Sequence, residues 1–281
     1  MRTLSASIVA YRNSVPMLNR AITSFLESAP SSVLYLIDNS PTDALRQIVS
    51  SPRVIYVHCR QNIGFGAAHN IALRSVMHHS TYHLVLNPDV YFDSPVIPEL
   101  QAFMDANPDV GLVMPKVLNP DGTLQRLCKL LPSPWTLITR NFLPPLAERE
   151  NFTYELQFTD YQRLLDVPFL SGCFMFLRMS VLESAGLFDE RYFLYAEDLD
   201  LCRRIHQHAR TVYYPHAVIY HDQEKAKGLL FHKIRSLSQY FNKWGWLHDE
   251  ERRRINSRVL NKEIARYNLE SKNFSEKRVP G

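Results

Sequence analysis

Three carboxylates crowd the start of one segment. Glu197, Asp198 and Asp200 follow the aromatic run Tyr192 to Tyr195 and precede Leu201 and Ile205, which are spaced as one face of a helix. Acid in a first helical turn satisfies free backbone N–H groups and opposes the helix dipole. Held rigidly at the rim of a pocket, the same carboxylate is a general base. On this stretch alone both readings stay open. Asn87-Pro88-Asp89 sets an amide and a carboxylate two residues apart around a stiff proline, directly after the apolar run Leu84 to Leu86. Oxygen ligands so placed suit Mg²⁺ or Mn²⁺ bridged to phosphate, and an ordinary turn equally. His221 closes a late apolar run; a histidine there is structural or, in a chain that offers oxygen ligands elsewhere, a metal ligand. Gly64 and Gly66 lie in the loop from Asn62 to Asn70, just before a helical pattern. Glycine at that point lets the backbone approach a diphosphate, although His69 stands where the dinucleotide fingerprint needs a third small residue.

The elements that must position these groups alternate in type. Leu4 to Ala10, Val33 to Ile37, Val54 to Val57 and Leu84 to Leu86 read as strands, with helices over Val15 to Leu26, Ala44 to Val49 and Ile71 to Val76. That alternation predicts right-handed βαβ crossovers and a mainly parallel sheet flanked by helices, with ligands at the carboxyl ends of the strands. Tyr11, Asp38 and the loop after His58 stand at those ends. Further on, Pro98 to Asp105 reads as a helix, Val110 to Met114 as an edge strand and Asn119-Pro120-Asp121-Gly122 as a tight turn. Pro132 to Asp160 reads as a variable loop with short helical pieces. Val167 to Arg178 is apolar and interrupted at Ser171-Gly172-Cys173, where glycine permits a close approach. Thr211 to Tyr214 and Ala217 to Tyr220 read as two short strands meeting at Pro215.

Residues 1–224 are expected to form one α/β domain and 225–281 a helical extension. In the latter, Leu230, Ile234, Leu237, Phe241 and Trp244 recur at helical spacing among Lys225, Lys227, Lys233, Arg235 and Lys243. Such a helix packs on the sheet or lies on an anionic membrane surface; a disordered tail is expected from about Asn268.

At 281 residues with 46% apolar and 21% charged residues, the chain can bury a substantial core and reads as globular. A net charge of +4 tolerates an anionic ligand without implying nucleic acid. The four cysteines show no paired spacing, which disfavours a zinc knuckle or a disulfide framework. The apolar stretch after Arg2 is too brief for a secretory signal, and Val167 to Leu177 falls well short of the roughly 20 residues that span a bilayer. A cytoplasmic location is expected.

Taken together, Ile8-Val9-Ala10-Tyr11, Asp38-Asn39-Ser40, Asn62 to Asn70, Leu86-Asn87-Pro88-Asp89, Gly186 to Arg204 and His221 resemble the inverting GT-A glycosyltransferases of family 2. Within that family the sequence is most similar to bacterial rhamnosyltransferases that build O-antigen and related polysaccharides. The resemblance spans roughly residues 4–245 and implies a GT-A fold, a nucleotide-diphospho-sugar donor, a polysaccharide or lipid-linked glycan acceptor and a divalent cation, Mg²⁺ or Mn²⁺. It implies that Tyr11 and Asp38 lie near the nucleoside and that Asn62, Gly64, Asn70 and Asn87 line the donor side. Asp89, at the family's Asp-x-Asp position, would hold the metal, with His221 completing that site. Asp198 would be the base and Glu197 its acceptor-side neighbour, while Asp189 and Asp200 stay structural. The implied donor is dTDP-L-rhamnose, with galactosyl or galactofuranosyl transfer as the alternative; a sugar nucleotidyltransferase and a non-catalytic nucleotide-sugar binder are the readings from other classes.

Overall fold

The structure, a computed structural model, describes residues 3–223 and 229–276. In chain order the strands are β1 (Leu4–Ala10), β2 (Val33–Asp38), β3 (Val54–His58), β4 (Tyr82–Leu86), β5 (Val90–Phe92), β6 (Val110–Leu118), β7 (Cys128–Lys129), β8 (Leu165–Asp166), β9 (Phe169–Leu170), β10 (Phe174–Arg178) and β11 (Arg210–His221). The helices are α1 (Val15–Ser28), α2 (Phe65–Val76), α3 (Val96–Ala106), α4 (Pro134–Phe142), α5 (Pro144–Tyr154), α6 (Met179–Ala185), α7 (Glu197–His206), α8 (Leu230–Trp244) and α9 (Glu250–Glu276).

The main sheet runs β3-β2-β1-β4-β10-β6-β11-β5, with β8 added alongside β11. β1 to β4 are mutually parallel and β6 pairs in parallel with β11, while β10, β5 and β8 run against their neighbours. This is the mixed, mainly parallel α/β sheet expected. Its centre is solvent-free: Ile8, Leu36, Leu84, Phe174 and Phe176 have no exposed surface, and each such side chain contributes about 1.5–3 kcal/mol by burial.

Several elements differ from expectation, and proline bears on most of them. β6 is central, between β10 and β11, not an edge strand ending at Met114. It continues through Pro115, which pairs opposite Tyr214, next to Pro215; there the β6–β11 register shifts between Tyr214 and Val218. A bulge absorbs the missing amide donors, so β11 is one strand and not two. Between Pro132 and Asp160 the chain forms α4 and α5, because Pro134 and Pro144 start helices, where a proline has no amide bond to lose. Ser133 and Thr136 close a reciprocal cap on α4. Finally, α9 runs to Glu276, past Asn268 where disorder was expected. Lys225 and Lys227 lie outside the described residues.

All four cysteines are free and three of them are buried. Among the described residues no helix is long and apolar enough to cross a membrane.

Beneath the β1–β4 pairing lies a buried polar chain. Ser5 Oγ meets His83 Nδ1 at 2.8 Å, Ser7 Oγ meets His83 Nε2 at 2.8 Å, and Ser7 Oγ meets His69 Nδ1 at 2.7 Å. Burial disfavours the charged rings, holding His83 down to about 3 and His69 well below the usual histidine range. Below about pH 6.5 the unfolded chain therefore binds protons that the native state refuses, and stability falls with falling pH by roughly 1.4 kcal/mol per unit per histidine. Urea unfolding is expected to show a loss of about 2–3 kcal/mol between about pH 7.5 and 5.5 from these two rings, and His83→Gln to remove about half of that slope. An unchanged slope in the variant would separate His83 from the effect.

Candidate active site

The carboxyl ends of the strands gather the chosen residues into two groups. Asp89 and His221 meet through register: β5 pairs antiparallel with β11, with Val90 opposite His221, so the residue before Val90 falls beside the ring. Asp222 N–H donates to the Asp89 carbonyl at 2.9 Å and closes the corner. Asp89 Oδ1 then faces His221 Nε2 at 3.3 Å, with both side chains mostly buried. Neither atom has a hydrogen-bond partner.

The reason lies on the far side of the ring. His221 Nδ1 lies 2.9 Å from Gln125 Oε1. The Gln125 amide nitrogen donates to Asn119 Oδ1 at 2.7 Å and to the His221 carbonyl at 2.8 Å, so its oxygen must be the atom facing the ring. Nδ1 therefore carries the proton, and in the neutral ring Nε2 presents a lone pair to a carboxylate oxygen. Two buried acceptors facing each other are costly unless a proton or a cation lies between them, and a histidine whose other nitrogen donates outward is oriented as a metal ligand. These two side chains suit Mg²⁺ or Mn²⁺ completed by phosphate oxygens and water. Among the described residues no group of three or more His, Cys, Asp or Glu side chains forms a self-sufficient metal cage.

Asp198 sits at the second position of α7. The two residues before the helix, Tyr195 (φ 70°) and Ala196 (φ 64°), are both left-handed, a conformation that non-glycine residues avoid and that clusters at functional sites. This turn carries the carboxylate to the Gly172 loop, where Asp198 Oδ2 accepts from Gly172 N–H at 2.9 Å and Oδ1 from Leu199 N–H at 2.8 Å. A Cβ on residue 172 would stand 3.0 Å from Asp198 Cβ, so any larger residue there would press directly on the carboxylate's backbone side. The same loop returns to the metal-type corner, since Asn87 N–H donates to the Cys173 carbonyl at 2.9 Å. The capping and base readings thus describe one arrangement: the carboxylate is fixed by backbone amides and still faces a cavity.

Burial raises Asp198 above the ordinary aspartate range, against the lowering effect of those N–H donors. Glu197 is more deeply buried and is raised further, first by desolvation and then by the charge on Asp198. The two carboxyls therefore titrate as a pair, in which Asp198, held by backbone N–H donors, is the member favoured to carry the charge. Asp198 and His221 line one cleft of about 420 Å³; Asp89, Glu197, Tyr11, Asp38, Asn62, Gly64, Asn70 and Asn87 do not.

The second group surrounds the ends of β1 and β2. Asp38 is fully buried; its oxygens accept from Ser40 N–H at 2.8 Å and Tyr56 OH at 2.6 Å. Tyr11 is exposed and bonds Asn13 through its backbone N–H. Asn62 Oδ1 accepts from Gly64 N–H at 3.0 Å and Asn39 Nδ2 at 3.3 Å. Gly64 and Asn70 serve the acidic stretch. A Cβ on Gly64 would come within 2.5 Å of the Phe193 carbonyl, which accepts from Phe65 N–H. The Asn70 amide donates to the Phe188 carbonyl and to Glu190, and its oxygen accepts from Phe188 N–H. Asp200 is the structural anion expected, holding Arg204 and also Lys243 and Trp244 of α8. Sequence reading missed Gln125, Lys129 and Arg140 and saw Lys233 only as part of a basic helix; Lys129, Arg140 and Lys233 line the cleft beside Asp198.

Residues 6–186, well over half of the chain, match the family model described as Glycosyl transferase family 2. An N-acetylglucosaminyl-diphospho-decaprenol L-rhamnosyltransferase of Mycobacterium tuberculosis is 29% identical over 232 residues, covering 76% of this chain and 74% of its own. The low-salt glycan biosynthesis hexosyltransferase Agl10 of Haloferax volcanii is 27% identical over 207 residues, covering 72% and 61%. Among solved structures, GalNAc-T7 with UDP, GalNAc and Mn²⁺ superposes with a TM-score of 0.63 at 14% identity, over 86% of this chain and 48% of that one. S. aureus TarS 1-349 does so with a TM-score of 0.54 at 16% identity, over 78% and 60%. The chain belongs to glycosyl transferase family 2 and is a glycosyltransferase with the GT-A fold.

Proposed function

We propose that the protein is an inverting transferase that moves L-rhamnose from dTDP-L-rhamnose to a hydroxyl of a lipid-linked glycan. The observation that carries this reading is the single cleft lined by both Asp198 and His221, with Asp89 Oδ1 3.3 Å from the His221 ring. The likeness to the mycobacterial L-rhamnosyltransferase supports the sugar and the acceptor type. Asp198 takes the proton of the acceptor hydroxyl as its oxygen attacks the anomeric carbon from the face opposite the leaving diphosphate; one displacement inverts that carbon. Asp89 and His221 would hold Mg²⁺ or Mn²⁺, which when bound supplies positive charge against the charge growing on the diphosphate. The nucleoside is assigned to the rim of Tyr11, Asp38 and Asn62, with Asn87 behind the metal corner and Gly64 and Asn70 holding the acidic stretch in place. Such an acceptor sets the reaction at the cytoplasmic face of the inner membrane, with the basic α8 towards anionic lipid.

A thermal-shift panel of nucleotide-sugars with Mn²⁺ tests the donor, because a bound donor raises the melting temperature by mass action. dTDP-L-rhamnose is expected to give the largest shift; a larger one with a UDP-galactose donor would replace rhamnose by galactose. In calorimetry, Asp89→Asn is expected to weaken Mn²⁺-dependent donor binding by at least about tenfold, and Gln125→Leu by roughly tenfold through the lost orientation of His221. Donor affinity that is the same with and without Mn²⁺ in the unaltered protein would remove the metal assignment.

A further inference from the structure

A second cavity, of about 410 Å³, lies between α4, α5 and the start of α9. Side chains tie its walls together. Asn256 of α9 holds the Leu131 backbone from both sides, accepting from its N–H at 3.0 Å and donating to its carbonyl at 2.9 Å. Glu150 of α5 accepts from the Thr136 hydroxyl of α4 at 2.8 Å. Tyr154 stands in the wall of this cavity and of the Asp198 cleft, and the two are otherwise lined by different residues.

Arg252, in the same wall, lacks a full set of partners. It is 6% exposed, and its Nη1 is buried with no hydrogen-bond partner among the described residues. Asp249 Oδ2 lies 3.8 Å from that nitrogen and already accepts from Arg203 at 2.7 Å. Burial, helped by the charges of Arg203 and Arg253, lowers Arg252 from the ordinary arginine range in spite of Asp249. A guanidinium does not escape the cost by losing its proton, so an oxyanion beside it is stabilising. The remaining walls suit a sugar ring. Trp135 is 57% exposed, and the C–H face of a pyranose laid on it removes indole surface from water. Thr153 and Glu150 offer oxygens to ring hydroxyls. Arg149 and Arg252 set against Glu150 leave one positive charge in the lining, which matches a carboxylate better than a doubly charged phosphate.

We propose that this cavity is a second carbohydrate site, built for a pyranose that carries a carboxylate, with the carboxylate at Arg252 and the ring against Trp135. It holds neither the donor nor the hydroxyl that Asp198 deprotonates, so it depends on neither the donor nor the acceptor assigned above. A neutral sugar would leave the Arg252 charge as it is.

The test uses the full chain and methyl β-D-glucuronide as probe, with methyl β-D-glucoside as its neutral counterpart. Ligand-observed NMR titration is expected to show saturable binding of the glucuronide with a Kd near about 1 mM, ordinary for a ligand of that size, and at least about tenfold tighter than the glucoside. Trp135→Ala and Arg252→Gln are each expected to weaken it by at least about fivefold. Trp135 is exposed, so its variant decides the matter if Arg252→Gln does not fold. Saturating dTDP with Mn²⁺ is expected to leave the affinity unchanged, and so is Lys129→Gln in the neighbouring cleft. Displacement by dTDP, or a loss of affinity in Lys129→Gln, would place the probe in the catalytic cleft and overturn the proposal. Equal binding of the two glycosides, tighter binding of glucose-6-phosphate, or unchanged affinity in Trp135→Ala would also overturn it. A chain that binds the glucuronide in this way and transfers no sugar from any donor keeps this site and loses the function proposed above.

Discussion

Asp198→Asn is expected to lower kcat by roughly 10²- to 10⁴-fold, the usual worth of a positioned general base, while donor affinity stays within about threefold. The expectation follows from a division of labour inside an adjacent carboxylate pair. Asp198 lines the cleft and is fixed by the amides of Gly172 and Leu199; these donors favour the charged form, so it is the member that ionises first. Glu197 is 5% exposed, with Oε2 lacking a partner, and is pushed well upward by burial and then by the charge on Asp198, which favours its protonated form. A protonated glutamic acid and a glutamine have nearly the same shape and the same neutral charge. Glu197→Gln is therefore expected to keep kcat within about tenfold. The reverse result, a dead Glu197→Gln and an active Asp198→Asn, would exchange the two roles. Because Asp198 titrates above the ordinary aspartate range, the acid limb of the kcat profile is expected to lie above that range too. Activity is lost as pH falls through the raised value, since only the ionised carboxylate accepts a proton.

What could be read from the sequence was local; what could not was pairing. The apolar runs of β1, β2 and β4 are buried along their whole length or nearly so, and their position before Tyr11, Asp38 and Asn87 told where ligand-facing loops begin. Asp89 and His221 were each visible as chemistry, but their meeting depends on β5 pairing with β11 from 132 positions away, and no spacing rule spans that. Gly64 shows the limit of a glycine signal: it announces a close approach without naming the approaching group, which is the Phe193 carbonyl. The cations of the cleft were hidden for a different reason. Arg140 lies in a stretch whose prolines read as breakers although Pro134 and Pro144 begin helices, and Lys129 and Lys233 belong to elements that meet it only in the folded chain.

Arg203→Met is expected to cost about 3–5 kcal/mol of stability, the typical penalty for stranding one partner of a buried ion pair. Arg203 is 1% exposed and donates to both oxygens of Asp249 at 2.7 Å, to Glu251 at 2.8 Å and to Tyr240 OH at 3.2 Å, with its guanidinium 4.1 Å from the Trp244 ring centroid. The Asp249 side chain is only 2% exposed, so it cannot recover water when the arginine is gone. The double variant Arg203→Met/Asp249→Leu removes both charges and is expected to recover at least half of the loss, because replacing a whole buried pair by apolar groups is often close to neutral. Urea unfolding of the singles and the double decides this; a single variant within about 1 kcal/mol of the parent would deny the network its weight. The consequence reaches the chemistry. Arg203 lies on the helix that begins with Glu197 and Asp198, and the network joins that helix to α8 and to the start of α9. Asp200, on the same helix, repeats the connection through Lys243 and Trp244. The helix that carries the base is thus held from behind by the C-terminal helices, one of which also supplies Lys233 to the cleft in front. Heating the Arg203→Met protein is expected to abolish transfer at the temperature where α7 separates from α8, and in a parent whose activity and fold are lost together that temperature should fall in step with the urea result.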